Sequence, residues 1–189
     1  MASPEKQPLR EREILVGVTG GIAAYKTAAL VSRLVQAGAG VSVMMTGPAT
    51  RLVGPATFQA LTGRPVHTDL WAPPEACRAD HIALADRAHL VVVAPATANA
   101  IGKLAAGIAD DLVSTVLLAI SVPLVLAPAM NVHMWQHPAV QANVETLRTR
   151  GVRLVGPEEG WLACGVEAHG RMAEPETIVA EIVKALATK

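Results

Sequence analysis

Ile14-Leu15-Val16-Gly17-Val18-Thr19-Gly20-Gly21-Ile22-Ala23-Ala24-Tyr25-Lys26-Thr27 runs from an apolar stretch through a glycine pair into an Ala-rich segment. Residues 14–18 read as a strand and residues 22–36 as a helix closed by Gly38. The same unit recurs outward along the chain. Residues 41–45 read as a second strand, followed by a helix over 51–61. Residues 63–80 are rich in Pro and polar side chains and read as a loop with room for one short strand. A short helix over 82–87, beginning at His81, leads to a third strand over 90–93. Helical segments follow at 98–106 and 111–120. Residues 122–126 form a buried strand, 138–150 a helix and 152–155 a fifth strand. Residues 156–173 carry four Gly without periodicity and read as a loop. A closing helix over 175–186 starts with Pro, which suits a first helical turn. Strands alternating with helices predict an α/β fold: one doubly wound, Rossmann- or flavodoxin-like domain with a parallel sheet and helices on both faces.

The chain has 189 residues, enough for one sizeable core, and no linker or repeat divides it. Residues 1–12 are polar and mixed in charge and read as a disordered tail before a domain over 13–189. The composition is 51% hydrophobic but only 3% aromatic, so the core must be mostly aliphatic. Lys plus Arg equals Asp plus Glu at 16 each, which gives no electrostatic reason to expect nucleic acid or an anionic membrane. Apolar runs are interrupted too soon to span a bilayer. Two cysteines, Cys77 and Cys164, cannot make a disulfide framework, so a reducing, cytoplasmic setting is expected.

Ligands in open α/β sheets bind past the C-terminal ends of the strands, and the strand ends here are suited to it. Gly20 and Gly21 let backbone amides approach an anion at a helix N-terminus. They serve equally as a tight turn with a small-residue packing contact. The loop matches neither a Walker pattern, because Tyr25 precedes Lys26, nor the Gly-x-Gly-x-x-Gly fingerprint. Thr46 ends the second strand, and Ala94-Pro95-Ala96-Thr97-Ala98-Asn99 ends the third. Their hydroxyls and amides form a plausible phosphate cradle, while Thr97 and Asn99 also suit a helix cap. The fourth strand ends in Pro128-Ala129-Met130-Asn131-Val132-His133-Met134-Trp135. Asn131 offers a donor and an acceptor for a carboxylate or an amide, or caps a short helix. Met130 and Met134 suit either an apolar wall or core filling. Asp110 and Asp111 are adjacent on a helix, about 100° apart, which is wrong for an acid–base dyad and right for a helix start. His133 and His137 have metal-pair spacing, but Pro138 follows and no third ligand is evident, so no metal is expected.

These segments, in this order, resemble the homo-oligomeric flavin-containing Cys decarboxylases. The resemblance extends from about Glu13 to Leu186. It is carried by Thr19 to Lys26, His81-Ile82, Ala94 to Asn99, Gly107-Ile108-Ala109-Asp110-Asp111-Leu112, Pro128 to Asn131 with Met134-Trp135, Cys164-Gly165, and Gly170-Arg171-Met172. It implies FMN held by Gly20, Gly21, Ile22 and Ala23 at the first helix, by Thr46, and by Pro95, Ala96, Thr97 and Asn99. It implies a small-molecule substrate, a cysteine amide with a free carboxylate, contacted by Asn131, Met130, Met134 and Arg171. The reaction implied is decarboxylation of 4′-phosphopantothenoylcysteine to 4′-phosphopantetheine in coenzyme A synthesis. In it the cysteine side chain is oxidised to a thioaldehyde, CO2 is lost to leave an enethiolate, and hydride returns. Peptidyl-cysteine decarboxylation or a non-catalytic flavoprotein subunit are the alternatives. His81, Asn131 and Cys164 take the catalytic positions, with Cys164 donating the proton that accompanies hydride return. Between Cys164 and Arg171 the sequence departs from the family pattern at Val166-Glu167-Ala168-His169. A homo-oligomer, a trimer or a dodecamer built of trimers, is implied as well.

Overall fold

The computed structural model describes residues 7–72, 80–161, 165 and 167–187. In it β1 (Glu13–Val18) is buried from Ile14 onward. The chain continues through α1 (Ala24–Gln36), β2 (Gly40–Met45), α2 (Gly47–Thr50), α3 (Pro55–Thr62), β3 (Val66–His67) and α4 (Asp80–Arg87). Next come β4 (Leu90–Ala96), α5 (Ala98–Ala106), α6 (Leu112–Ala119), β5 (Leu124–Pro128), α7 (Val132–Gln136) and α8 (Pro138–Thr149). The last elements are β6 (Arg153–Leu154), β7 (Glu158–Trp161), β8 (Glu167–Arg171) and α9 (Pro175–Ala187).

Strands β1 to β6 form one parallel sheet in the order β3-β2-β1-β4-β5-β6. This is the doubly wound arrangement, with its switch point between β1 and β4. Side chains alternate across the sheet and feed two cores. Ile14, Val16, Val18, Val92 and Ala127 face a core closed by α1, α3 and α9, where Leu30, Phe58 and Ile182 are buried. Leu15, Val91, Val93, Leu124 and Leu126 face the other, closed by α4, α5, α6 and α8. Burial on both faces explains why the strands read as continuous apolar runs. Among the described residues no helix is long and apolar enough to cross a membrane.

The short strand allowed for in residues 63–80 is β3, paired with β2. Four other expectations change. The helix expected over 51–61 starts only at Pro55, as α3, because Gly54 before it has an extended backbone; residues 51–54 are non-helical and separate it from the short α2. The third strand runs on through Pro95 to Ala96, with a register shift against β5 between Val93 and Ala96. The stretch expected to be a loop at 156–173 contains an antiparallel hairpin, β7–β8. Its two strands lack an apolar alternation and instead pair polar residues, Glu158 with Arg171 and Glu159 with His169, so period-two hydrophobicity does not mark them. The ordered chain also begins earlier than expected. Leu9 is 1% exposed in the first core, and its N–H donates to the Ala37 carbonyl at 3.0 Å. The rest of the expected tail, residues 1–6, lies outside the described residues.

Candidate active site

The switch point is held together by one buried hydroxyl. Thr19, 1% exposed, follows β1, and its Oγ1 donates to the Pro95 carbonyl at 2.6 Å. The same oxygen accepts the Thr97 N–H at 3.1 Å and lies 3.2 Å from Thr97 Oγ1. In the first turn of α1, Thr27 Oγ1 donates to the Ala94 carbonyl at 2.7 Å, pinning α1 to β4. Between these contacts Gly20 and Gly21 carry the chain into α1. A side-chain carbon on Gly20 would run into Pro48, and one on Gly21 would come within 3.2 Å of Thr97 Cγ2. Only glycine lets β1, α2 and β4 converge this closely.

Past this junction opens a cavity of about 780 Å³. Thr19, Gly20, Gly21, Ile22, Ala23 and Thr46 line one side, and Thr97, Asn99, Met130, Asn131, Met134 and Arg171 continue around it. Thr46 Oγ1 is buried there with no hydrogen-bond partner among the described residues, a group that a ligand would satisfy. Thr97 caps α5 by accepting the Ala100 N–H at 3.3 Å, so capping and cavity lining coexist in one residue. Asn131 does the same for α7, accepting the His133 N–H on Oδ1 at 2.8 Å. Met130 packs against the second core as well as lining the cavity, whereas Met134 is 48% exposed.

The expected cofactor residues divide into two groups. Gly20, Gly21, Ile22, Ala23, Thr46, Thr97 and Asn99 face the cavity. Pro95 and Ala96 lie beneath it instead. The Pro95 carbonyl takes the Thr19 hydroxyl, and the Ala96 carbonyl takes the Ala129 N–H at 3.1 Å. They act on the cavity through the residues they hold. His81 sits in the first turn of α4, partly buried, outside the lining of this cavity. Cys164 and Cys77 lie outside the described residues.

Apart from Arg171, the sequence reading did not place the charged residues of the wall in the site. Lys26, Lys103 and Asp111 line the cavity. Lys103 Nζ lies 2.6 Å from Asp110 Oδ1 and 2.7 Å from Asp111 Oδ2. Hydrogen bonds that it donates to both carboxylates hold its pKa above the ordinary lysine range. Asp111 also caps α6, accepting the Ser114 N–H at 2.8 Å, which bears out the helix-start reading of the Asp pair. Burial pushes Asp111 up, but hydrogen bonds from Lys103 and Ser114 outweigh it and hold its pKa low. Lys26 Nζ meets Glu174 Oε1 at 2.9 Å, and Arg171 meets the same oxygen at 2.9 Å and Glu158 at 3.4 Å. The Arg171 side chain lies close to Gly160, where a side-chain carbon would come within 3.2 Å of its Nε. His137, considered above as half of a metal pair, accepts the Ala139 N–H on Nδ1 at 3.2 Å and caps α8.

Comparison with known proteins adds three findings. The profile of the family described as Flavoprotein matches residues 2–187. The coenzyme A biosynthesis bifunctional protein CoaBC of Bacillus subtilis is 54% identical over 171 residues, covering 90% of this chain and 42% of that protein. Its Escherichia coli namesake is 47% identical over the same length and the same shares. The chain thus spans about two-fifths of the curated relatives it matches. Among solved structures, the FMN-dependent cysteine decarboxylase SpaF is 34% identical with a TM-score of 0.80, over 94% of this chain and 97% of that one. A mutant PPC decarboxylase complexed with pantothenoylaminoethenethiol is 28% identical with a TM-score of 0.84, over 95% and 100%.

Proposed function

We propose that this chain, which belongs to the Flavoprotein family, binds FMN in the strand-end cavity. There it decarboxylates 4′-phosphopantothenoylcysteine to 4′-phosphopantetheine, a step of coenzyme A synthesis. The observation that carries the reading is the cavity itself. It joins a glycine-lined helix N-terminus, an unpartnered buried hydroxyl at Thr46 and the Asn131 amide in one space of about 780 Å³. Those donors fit a flavin mononucleotide. The α1 amides and the Thr46 and Thr97 hydroxyls would take its phosphate, and the β4–α5 segment would flank the rest. FMN bound there would supply a reversible two-electron acceptor for the cysteine side chain of the substrate.

The chain's own residues bind, orient and move protons. Asn131 holds the substrate carboxylate or amide with a neutral group. A neutral grip suits decarboxylation, because a full positive charge would stabilise the carboxylate more than the transition state that loses it. Met130 and Met134 keep that end of the cavity apolar, and Arg171, next to the Gly170 whose carbonyl accepts the Met130 N–H, offers guanidinium N–H groups. Cys164 lies in sequence between β7 and β8, strands that flank the cavity, and donates the proton that completes reduction of the enethiolate. His81 takes part in proton transfer in the assembled enzyme, a homo-oligomer, either a trimer or a dodecamer built of trimers, that acts in the cytoplasm.

The test is the product. Purified, FMN-loaded protein is incubated with 4′-phosphopantothenoylcysteine and the product is weighed by mass spectrometry. Phosphopantetheine is expected. A colourless protein that takes up no FMN would remove the reading altogether. In Cys164→Ser the product should shift to a species lighter by two hydrogens, the enethiol, and unchanged phosphopantetheine would remove the role given to Cys164. Likeness to SpaF favours a second reading, decarboxylation of a peptidyl cysteine. Release of CO2 from a peptide ending in cysteine, with none from phosphopantothenoylcysteine, would establish it instead.

A further inference from the structure

Among the described residues, the basic side chains lining the cavity are Lys26, Lys103 and Arg171, and each is tied to at least one carboxylate within 2.9 Å. Glu174 takes Lys26 and Arg171 on one oxygen, and Glu158 adds a second contact to Arg171 at 3.4 Å. Asp110 and Asp111 clasp Lys103 from two sides. Lys26 and Lys103 are only 14% and 18% exposed, so water does little to screen them and the carboxylates must. Glu174 and Asp110 do not line the cavity themselves; they reach its cations from behind. What the cavity presents is therefore neutral donors, from Thr46, Thr97 and Asn131, and cations whose charge is already compensated.

We infer that Glu174, with Asp110 and Asp111, serves as a set of positioning carboxylates that cancel the positive charge of the cavity wall so that the substrate carboxylate is bound without being stabilised against CO2 loss. The inference rests on the decarboxylase reading above. Its physical basis is differential binding. A free ammonium beside the carboxylate lowers the ground state, where the negative charge is localised, more than the transition state, where that charge is leaving. A compensated cation still donates hydrogen bonds but exerts little net field. The Lys26 hydrogen bond holds Glu174 low, and Asp110 and Asp111 hold Lys103 high.

Glu174→Gln is the direct test, since it uncovers Lys26 and weakens the compensation of Arg171 while keeping size and hydrogen bonding. Two readouts are taken on FMN-loaded protein: the single-turnover rate of CO2 release, and the equilibrium affinity for two ligands by calorimetry. One ligand is 4′-phosphopantothenoylserine, which keeps the carboxylate and cannot be oxidised. The other is 4′-phosphopantetheine, which keeps the phosphate and lacks the carboxylate. The serine analogue should bind about tenfold tighter and CO2 release should slow about tenfold, the scale of one unit charge in a partly desolvated cleft. Phosphopantetheine affinity should not move. Adding Lys26→Met to Glu174→Gln should bring both values back toward the parent, and Glu174→Asp should resemble the parent throughout. Asp110→Asn, at an exposed position on the other wall, should shift both readouts in the same directions by less.

Equal tightening of both ligands would mean that the uncovered cation reads the phosphate, and would overturn the inference. So would slower CO2 release without tighter binding of the serine analogue, or a double variant worse than Glu174→Gln alone, because either is what plain structural damage gives. Parent enzyme that releases no CO2 from phosphopantothenoylcysteine would instead remove the decarboxylase reading on which the inference stands.

Discussion

The two ends of β1 are closed by opposite means. At the N-terminal end, Glu13 accepts a two-pronged contact from Arg64 at 2.6 and 3.0 Å and a third from Arg87 at 3.2 Å. Its backbone N–H donates to His89 Nδ1 at 2.8 Å. The cleft beside it holds only about 10 Å³, no more than one water needs. At the C-terminal end the contacts are short hydroxyl bonds from Thr19 and Thr27, glycines stand where side chains would close the gap, and about 780 Å³ stays open. Long ionic side chains fill the space they bridge, whereas a threonine hydroxyl fastens two strands and leaves the room beyond them empty. The end left open is the end whose strands are fastened by the smallest groups.

The largest effect should come from filling that end. Gly20→Val places a branched side chain where even one carbon meets Pro48, and it forces the α1 amides away from the anion they would hold. FMN binding, followed by quenching of flavin fluorescence, should weaken at least ~100-fold, about 2.7 kcal/mol. Near-parent affinity would mean that the glycine turn is a packing device only. Next in size is Thr19→Val, which keeps the shape and removes the hydroxyl. It leaves the Pro95 carbonyl and the Thr97 N–H buried without their partner, at a cost of about 2–4 kcal/mol in urea unfolding. If Thr19→Val loses less than ~0.5 kcal/mol, the switch point is not fastened by that hydroxyl.

What could be read from the sequence follows the same division. Parallel strands buried on both faces leave contiguous apolar runs, so β1, β2, β4 and β5 were legible, and with them the strand ends where the cavity lies. Helix caps are local, so Thr97, Asn131 and Asp111 could be proposed from neighbours a few positions away. Long-range ionic contacts leave no such trace. Lys26 and Glu174 are separated by 148 residues, and nothing in the periodicity of α1 says which carboxylate its lysine meets. The β7–β8 hairpin was illegible because its two strands carry Gly160, Gly170 and charged pairs in place of an apolar stripe. Leu9 was lost in a stretch whose composition is otherwise polar, although one buried leucine suffices to anchor the chain ahead of β1.

The smallest effect should come from the closed end. The Arg64 hydrogen bond, helped by the charge of Arg64 and Arg87, holds the Glu13 carboxyl below its ordinary value near 4.5. A group whose pKa is depressed on folding stabilises the fold above the unfolded value and loses that contribution as pH falls through the folded one. Glu13 should therefore contribute fully at neutral pH and progressively less below about pH 4.5. The side chains are 28 to 50% exposed, so the contribution is modest, about 0.5–1 kcal/mol. Glu13→Gln should lower urea stability by that amount at pH 7 and narrow the gap to the parent at pH 3.5, while FMN affinity stays unchanged at both. A parent and variant that differ equally at pH 7 and pH 3.5 would show that the Glu13 contacts act through packing alone. A loss of FMN affinity in Glu13→Gln would be more telling still, because it would couple the closed end of β1 to the open one through the strand between them, buried from Ile14 to Val18.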